Sequence, residues 1–282
     1  MAILEVKGLR KEYPGFKLDG VSFALREGKI TGFIGRNGAG KSTTLNSLFN
    51  FVHPDGGSVR FFGLDFAGHE DEIKSRVGFV SSGVNYYQNK KLKTISAVTA
   101  GFYPTWDAAA YEKHMRMFAL DDEKTPAKLS AGMKVKYALT LALSHNAELL
   151  ILDEPTSGLD PVSRDDLLDV LMGLCDEGKT VLFSTHITSD LDKCADDIIY
   201  IKNGRIIANG DMREFENAYK IVRFDSMDAA HAAAPCALGI KRAKGGCTAL
   251  LRAEDAARLA LDGERAELES IMVHIEKEGE TS

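Results

Sequence analysis

A glycine-rich stretch near the N-terminus carries the residue types best suited to hold a phosphate group. Residues 35–43 read Gly-Arg-Asn-Gly-Ala-Gly-Lys-Ser-Thr and match the phosphate-loop pattern G-x-x-x-x-G-K-[ST] at every fixed position. The three glycines leave the backbone free to curl around an anion, so that successive N–H groups point inward. Lys41 then supplies a mobile positive charge for the β- and γ-phosphates, and the Ser42 hydroxyl is placed to ligate the Mg²⁺ that accompanies ATP. The nucleotide-binding residues predicted in this loop are Gly35, Arg36, Asn37, Gly38, Ala39, Gly40, Lys41, Ser42 and Thr43.

The segments on either side of this loop have the character needed to hold it. Residues 29–34 form a short apolar run that suits a buried strand, and residues 43–49 carry apolar side chains at helical spacing. A helix that begins near Lys41 would direct the positive end of its dipole at the phosphates. The order of strand, glycine loop and helix therefore favours a phosphate site over a surface turn that happens to contain Lys-Ser.

Two carboxylates and a histidine follow other apolar runs further along the chain. Residues 149–152 read as a short buried strand that leads directly into Asp153 and Glu154. In open parallel sheets, functional groups collect at the carboxyl ends of the strands, so both carboxylates are expected beside the phosphate loop. Residues 180–184 form a similar run just before His186. Taken by itself, this histidine reads as a core residue with satisfied hydrogen bonds.

Tyr13 lies just before a Pro14-Gly15 turn, upstream of the phosphate loop. Its ring could stack on the purine of a nucleotide, since such a contact uses only the aromatic face. Packing of the ring in the protein core is the alternative that the local sequence leaves open.

The composition narrows the class of protein. The chain has 282 residues, 44% apolar and 27% charged, which suits one large domain or an ordinary domain with a small extension. A net charge of −6 gives no overall basic field for nucleic acid, so no nucleic-acid partner is expected. Without an apolar run of about eighteen residues or a signal peptide, the chain is expected to stay in the cytoplasm and not to span a membrane.

The pattern of apolar, polar and turn-forming residues also predicts individual strands, helices and turns. Residues 3–6 and 20–25 resemble edge strands on either side of a turn. Ser130 is suited to cap a helix that is apolar nearly all round and should therefore be buried. Asn203-Gly204 predicts a hairpin with a type I′ turn, and residues 259–278 resemble one or two terminal helices.

Five separated motifs occur in one order along the chain and together resemble a known family. They are residues 35–43, 129–133, 149–154, 157–160 and His186. In this order they resemble the nucleotide-binding subunit of ATP-binding cassette (ABC) transporters, over residues 1–215. The resemblance implies an α/β P-loop NTPase fold with a mixed or parallel core sheet, an antiparallel β-rich N-terminal part and a helical signature subdomain at about residues 83–145. Residues 216–282, where the composition shifts, are expected to form a small C-terminal α+β extension.

The resemblance assigns roles to the groups at the strand ends. Asp153 resembles the carboxylate that holds Mg²⁺ through the metal's shell, and Glu154 resembles the residue that polarises the attacking water. His186 resembles the switch histidine that contacts the γ-phosphate and that water. Phosphoryl transfer depends on charge neutralisation and a positioned nucleophile, which groups of this kind supply. Glu154 and His186 are therefore the predicted catalytic residues, with ATP and Mg²⁺ as cofactors.

Residues 129–133 resemble the family's signature, which binds the γ-phosphate of ATP held by a second subunit. The groups involved would be the Ser130 hydroxyl, the Gly132 backbone and the start of a helix. The predicted residues of this surface are Ser130, Ala131, Gly132, Met133 and Asp160, the last in the loop that communicates across the interface. The resemblance implies that ATP joins two nucleotide-binding subunits head to tail, as a homodimer or a heterodimer, and that hydrolysis releases them.

The sequence departs from the family pattern at two places. The signature reads Ser-Ala-Gly-Met where the commonest form is Ser-Gly-Gly-Gln, although Ser130 and Gly132 are kept. After residues 77–80, where the family usually has a glutamine or an acidic residue that reaches Mg²⁺ and the water, this chain has Ser82, with Gln88 further on. A serine is too short for the same direct contact, so Ser82 as a metal ligand implies either a bridging water or slower turnover.

Residues 102–106, the signature and residues 268–275 together resemble a narrower branch, the bacterial exporters exemplified by bacitracin-resistance and acetoin-utilisation transporters. In that branch the membrane permease is a separate chain. The resemblance therefore implies an ATPase bound at the inner face of the cell membrane that makes no direct contact with the transported substrate. Residues 83–106 are the surface expected to receive a short cytoplasmic helix of the permease.

The sequence alone leaves two other functions open. A cassette ATPase of translation or repair would hydrolyse ATP without transport, but such proteins usually carry a second cassette with a charged linker or a long coiled coil, and this chain has neither. A regulatory subunit that binds ATP and hydrolyses it weakly stays open because of Ser82.

Overall fold

The structure is a computed structural model that describes residues 2–81 and 87–277. The chain divides into two compact units, Met1–Asn209 and Gly210–Ser282. In the described residues up to 211, the strands are β1 (Ala2–Tyr13), β2 (Phe16–Arg26), β3 (Ile30–Ile34), β4 (Gly56–Phe61), β5 (Leu64–Asp65), β6 (Val77–Ser81), β7 (Leu149–Asp153), β8 (Thr180–Thr185), β9 (Asp197–Lys202) and β10 (Arg205–Asp211). The helices of the same stretch are α1 (Lys41–Leu48), α2 (Glu70–Arg76), α3 (Leu92–Ala100), α4 (Ala108–Met117), α5 (Ala131–Ser144), α6 (Pro161–Asp176) and α7 (Thr188–Cys194). From residue 212 onward the elements are α8 (Met212–Asn217), β11 (Tyr219–Phe224), α9 (Met227–Ala233), β12 (Gly239–Ala243), β13 (Gly246–Arg252), α10 (Ala253–Arg258), β14 (Glu264–Arg265) and α11 (Leu268–Lys277).

The phosphate-loop region is built on a six-stranded sheet with the order β10-β9-β3-β8-β7-β6. From β9 to β6, neighbouring strands of this sheet run parallel, and β3, β7 and β8 are apolar and buried on both faces. Ile34 lies opposite Thr185, and Asp153 lies opposite Ser184 on one side and Ser81 on the other. The segments that follow β3, β7 and β8 therefore leave the sheet at the same edge. The predicted α/β fold is confirmed.

The β-rich N-terminal part is a four-stranded antiparallel sheet with the order β2-β1-β4-β5. β1 and β2 extend well beyond the predicted residues 3–6 and 20–25, because the two strands pair along nearly their whole length. The prediction that β1 is an edge strand was wrong, since β1 also pairs with β4, whereas β2 does lie at the edge. Leu4 and Leu9 of β1 belong to the same buried cluster as Leu45 of α1, so this sheet supports the helix that follows the phosphate loop.

The described residues between β6 and β7, from 87 to 148, are largely helical, as predicted. The core enclosed by α3, α4 and α5 contains Leu92, Ile95, Met115, Tyr137 and Leu141. Ser130 caps α5 by accepting a hydrogen bond from Met133 N at 3.2 Å, and the second half of that helix is buried. The nearby aromatic side chains divide between two environments, because Trp106 packs against the helical core and Phe102 is 77% exposed.

The second unit has its own sheet, with the order β12-β13-β11-β14 and antiparallel neighbours throughout. α10 and the end of α9 cover one face, where Val222, Ala249 and Leu251 are buried, and α11 packs on the other. The predicted α+β extension is confirmed. The expectation of helices throughout residues 259–278 was partly wrong, because residues 264–265 pair with β11 as a short strand before α11 begins.

None of the helices in the described ranges is both long and apolar enough to cross a lipid bilayer.

Candidate active site

The glycine loop after β3 leads into the N-terminus of α1, which begins at Lys41 as predicted. Gly40 has a φ of 113°, and a Cβ added there would lie 2.8 Å from Leu18 and 2.9 Å from Phe16. The left-handed conformation and the close side chains both require glycine at this position. The backbone N–H groups at the start of α1 are thus presented toward the loop, where an anion would be stabilised.

The predicted hairpin turn at Asn203 and Gly204 packs against the glycine loop. Both residues have positive φ, 49° and 73°, as a type I′ turn requires. Gly204 N donates to Ala39 O at 2.9 Å, and a Cβ added to Gly35 would lie 2.4 Å from the Ile201 carbonyl oxygen of β9. The hairpin therefore restrains the path of the loop, a contact that the local sequence does not reveal.

Lys41 is almost completely buried, with 5% of its surface exposed. Its Nζ donates to Gly35 O at 2.7 Å and to Arg36 O at 3.3 Å. The same Nζ lies 3.2 Å from Glu154 Oε1. A cation buried to this degree needs such partners, because an unpaired charge is costly to remove from water. Lys41 is thereby held between the loop and the end of β7.

Asp153 and Glu154 stand at the end of β7, where the sequence predicted two carboxylates. Ser184 Oγ of β8 donates to Asp153 Oδ1 at 2.6 Å and accepts a hydrogen bond from Glu154 N at 2.9 Å. Glu154 has a φ of 51°, a left-handed conformation that costs a non-glycine residue about 1–2 kcal/mol. The surrounding hydrogen bonds must hold this backbone in place, and strain of this kind is concentrated at functional sites.

His186 follows β8 and contacts the second oxygen of the same carboxylate. Its Nδ1 lies 2.8 Å from Glu154 Oε2, while Lys41 Nζ lies near Oε1. The imidazole is 41% exposed, so His186 is not the core histidine that its local sequence suggested. One carboxylate therefore joins a lysine at the start of α1 and a histidine that directly follows β8.

These groups line one cleft with a volume of about 620 Å³. The predicted residues that line it are Asn37, Gly38, Gly40, Lys41, Ser42, Thr43, Glu154 and His186. Gly15, Phe16 and Ser157 also line it and were not predicted to bind the nucleotide. The sequence could have indicated Ser157 and Phe16 as binding residues. Ser157 is the first residue of the motif at residues 157–160, and Phe16 directly follows the Pro14-Gly15 turn. Helix-terminal N–H groups, a buried ammonium and a carboxylate–histidine pair together suit the binding and transfer of a phosphoryl group.

Tyr13 lines a second cavity of about 430 Å³, which shares Gly15, Phe16 and Gly38 with the cleft. The Tyr13 side chain is 40% exposed and is therefore not packed in the core. The second cavity continues the cleft toward an exposed aromatic face, which is the arrangement expected for a base next to its phosphates.

Four other predicted residues flank the cleft without lining it. Gly35 and Arg36 supply the carbonyl groups that bind Lys41, and Ala39 is buried under the hairpin turn. Asp153 is 7% exposed and bonded to Ser184. Ser82 lies outside the described residues.

The signature residues Ser130, Ala131, Gly132 and Met133 lie at the start of α5 and line neither of the two cavities described. Asp160 caps α6, with Oδ1 accepting from Val162 N and Ser163 N at 3.1 Å. A further hydrogen bond from the Ser163 hydroxyl lowers the pKa of Asp160 below its usual value. A Cβ on Gly132 would lie 3.7 Å from Ser163, so the two helix starts are neighbours. The predicted residues thus form two groups, the cleft and a separate surface at the N-termini of α5 and α6.

Comparisons with known proteins identify the family of this chain. A sequence profile of the family described as "ABC transporter" matches residues 18–157. The Nod factor export ATP-binding protein I of Ralstonia nicotianae is 36% identical over 219 residues, which cover 75% of this chain and 68% of that protein. The bacitracin transport ATP-binding protein BcrA of Bacillus licheniformis is 32% identical over 209 residues, covering 73% of this chain and 68% of that protein.

A solved structure described as the ATP-binding subunit of an ABC transporter superposes with a TM-score of 0.68 at 29% identity, over 76% of this chain and 92% of that one. The resemblance that the motifs carried is therefore confirmed by profile, by relatives and by fold. The chain belongs to the ABC transporter family, as an ATP-binding subunit whose ATPase activity is coupled to transport.

Proposed function

We propose that Glu154 polarises the water that attacks ATP and that His186 holds that water and the γ-phosphate in position. The observation that carries this proposal is the contact of one carboxylate with Lys41 at 3.2 Å and with His186 at 2.8 Å inside the phosphate-loop cleft. A general base must lie within hydrogen-bond reach of the proton that it takes, and Glu154 and His186 both line the cleft in which that water would be bound. The Nδ1 contact orients the imidazole relative to the carboxylate.

The nucleotide is bound along the two connected cavities. The phosphates lie against the loop and the N-terminus of α1, where Lys41 neutralises their charge and Ser42 and Thr43 line the cleft. The adenine stacks on Tyr13, whose cavity shares lining residues with the cleft.

A magnesium ion accompanies the nucleotide in this proposal. The donors available for it are oxygen atoms, the exposed Ser42 hydroxyl and the Asp153 carboxylate, which suit this hard cation. No group of three or more His, Cys, Asp or Glu side chains in the described ranges could hold a metal ion, so phosphates and water would complete its ligands. Bound there, Mg²⁺ would neutralise charge on the β- and γ-phosphates. Ser82 is a further candidate ligand.

A complete site needs two subunits arranged head to tail, in a homodimer or a heterodimer. Ser130 and Ala131 are exposed at the positive end of α5, a helix of 14 residues, and Asp160 lies at the neighbouring start of α6. A hydroxyl at a helix N-terminus favours an anion, and the residues of this surface do not line the phosphate-loop cleft of the same chain. The γ-phosphate held in one subunit would contact Ser130 to Met133 of the other. ATP would therefore join the subunits, and its hydrolysis would release them.

The membrane permease would dock on a groove near the helical region. The groove has a volume of about 670 Å³ and is lined by Asp71, Lys74, Ser75, Phe102, Tyr103 and Pro104. An exposed phenylalanine with charged neighbours suits a short amphipathic helix. Through this contact the chain would be held at the inner face of the cell membrane, without touching the transported substrate.

The direction of transport proposed is export. One relative is described as a Nod factor export protein and another as a bacitracin transport protein. Such relatives give no support to the alternative of an ATPase in translation or repair.

The domain organisation proposed is an ATP-binding domain at residues 1–215 and a separate extension at residues 216–282. The extension has two buried clusters of its own around β11 and β13.

The experiment that tests this function replaces Glu154 by glutamine, which keeps the side chain's size but is a far weaker base. Glu154→Gln should bind ATP normally, lose turnover by about 10²–10⁴-fold and accumulate as an ATP-bound dimer in size-exclusion chromatography with ATP and Mg²⁺. Glu177→Gln, at the exposed end of α6, is the matched control and should keep normal turnover. A monomeric and fully active Glu154→Gln protein would contradict the mechanism. Absence of phosphate release from the wild-type dimer would favour the weakly hydrolysing regulatory subunit.

A further inference from the structure

A buried carboxylate lies next to the segments that carry the proposed catalytic side chains. Asp190, in the first turn of α7, is 1% exposed. Its Oδ2 accepts a hydrogen bond from Thr156 Oγ1 at 2.7 Å and lies 3.4 Å from Thr185 Oγ1. Both threonines are fully buried, so water does not compete for these contacts.

The two threonines belong to the segments that carry Glu154 and His186. Thr156 follows Glu154 by two residues, and Thr185 immediately precedes His186. Thr185 Oγ1 also accepts a hydrogen bond from Ile187 N at 3.0 Å, so the backbone is held on both sides of the histidine. One carboxylate therefore joins the segment after β7 to the segment after β8.

An arginine balances the negative charge of Asp190 but does not hold the carboxylate in position. Arg164 Nε of α6 lies 3.8 Å from Asp190 Oδ1, and neither atom has a hydrogen-bond partner within the described part of the chain. At this distance the guanidinium offsets the negative charge but donates no hydrogen bond. The threonine hydroxyls, rather than the arginine, therefore determine what the carboxylate holds in place.

Glu154 needs support from its surroundings because its backbone is in the left-handed region, with a φ of 51°. If the segment after β7 relaxed, the carboxylate would move away from His186. We propose that Asp190 is a positioning residue that acts through Thr156 and Thr185 to keep Glu154 and His186 in contact. Asp190 has this role only if Glu154 and His186 are catalytic, as proposed.

The test compares two substitutions of Thr156 in the full-length chain. Thr156→Val keeps the shape of the side chain and removes the hydroxyl, whereas Thr156→Ser keeps the hydroxyl. For Thr156→Val, kcat for ATP hydrolysis should fall about tenfold or more while KM and the nucleotide Kd stay within about twofold, because a small displacement of catalytic groups slows the reaction step. Thr156→Ser should recover most of the lost turnover. Equal turnover in the two variants, or a loss confined to KM, would overturn the proposal.

A double-mutant cycle with Asp190→Ala, which removes both acceptor oxygens, identifies the partner of Thr156. If Thr156 acts through Asp190, adding Thr156→Val to Asp190→Ala should lower kcat by less than about twofold further, whereas independent effects that multiply would overturn the proposal. If Asp190→Ala does not fold, the two Thr156 variants decide the question by themselves. Full turnover in Glu154→Gln would reject the proposed catalytic role, whereas an inactive Glu154→Gln protein alongside a normal Thr156→Val protein would reject only the role of Asp190.

Discussion

Lys41 Nζ lies 3.2 Å from Glu154 Oε1, and the two side chains are 5% and 18% exposed. A phosphate bound at the loop would compete with Glu154 for this ammonium, because both are anions that seek the same cation. Nucleotide binding is therefore expected to release one oxygen of Glu154 while His186 holds the other. Through this exchange of partners, nucleotide binding at Lys41 would change the contacts of the carboxylate proposed to be catalytic.

Replacing this lysine should weaken nucleotide binding. Lys41→Ala removes a charge-assisted contact to the phosphates, so ATP affinity measured by calorimetry should fall about tenfold to a hundredfold. Lys244→Ala, in the exposed turn between β12 and β13, removes the same charge far from the loop and should bind ATP normally. Unchanged affinity in Lys41→Ala would reject the assignment of the phosphate loop.

Tyr13 offers a test of where the adenine lies. Loss of aromatic stacking in Tyr13→Ala should lower ATP affinity about tenfold, whereas Tyr13→Phe keeps the ring and should bind like the wild type. Inorganic triphosphate has no base, so its affinity should be the same in all three proteins. An equal loss for ATP and triphosphate in Tyr13→Ala would show that the ring supports the phosphate loop instead of a purine.

Phe102 tests the docking surface of the permease. The side chain is 77% exposed beside the groove, so Phe102→Glu places a charge in the proposed apolar contact. Recovery of the multi-spanning partner that co-purifies with the wild type from membranes should fall about tenfold or more, with normal ATPase activity in the isolated chain. Met117→Glu, at a 56% exposed position of α4 outside the groove, should co-purify normally. Equal recovery in both variants would place the contact elsewhere.

His145 makes the stability of the protein depend on pH. Its ring stacks on Tyr103 with centroids 4.0 Å apart, and its Nδ1 lies 3.0 Å from Ser75 O. Burial lowers the pKa of His145 below its usual 6.5. As the pH falls through about 6.5, the unfolded chain binds a proton that the folded chain does not, so protonation favours unfolding. The melting temperature should therefore decrease as the pH is lowered from about 7.5 to about 5.5.

The substitution His145→Asn isolates this contribution, because asparagine keeps an N–H donor for Ser75 O and does not titrate. Its melting temperature should change less with pH than that of the wild type. Some dependence should persist, since burial also lowers the pKa of His114 and His274. An unchanged dependence in His145→Asn would contradict this account.

The phosphate site was predictable because its chemistry is local. An anion-binding loop needs its glycines and its lysine at consecutive positions, and a strand buried on both faces needs a continuous apolar run. Residues 149–152 and 180–184 therefore predicted strands that end beside Glu154 and His186, without any knowledge of their neighbours. The cap at Ser130 was predictable for the same reason, because the side chain bonds a backbone group only three residues away.

Which strand ends meet was decided by the tertiary structure alone. β8 lies between β3 and β7 although it follows both along the chain, and this order brings His186 to Glu154 and Ser184 to Asp153. Thr156 and Asp190 are 34 residues apart in sequence, and the pairing of β1 with β4 is likewise distant. Such contacts leave no pattern in the local sequence, because the apolar periodicity of a segment is the same whichever segment it packs against. The sequence determined the chemical groups and the elements that bear them, and the assembled sheet determined which of those groups act together.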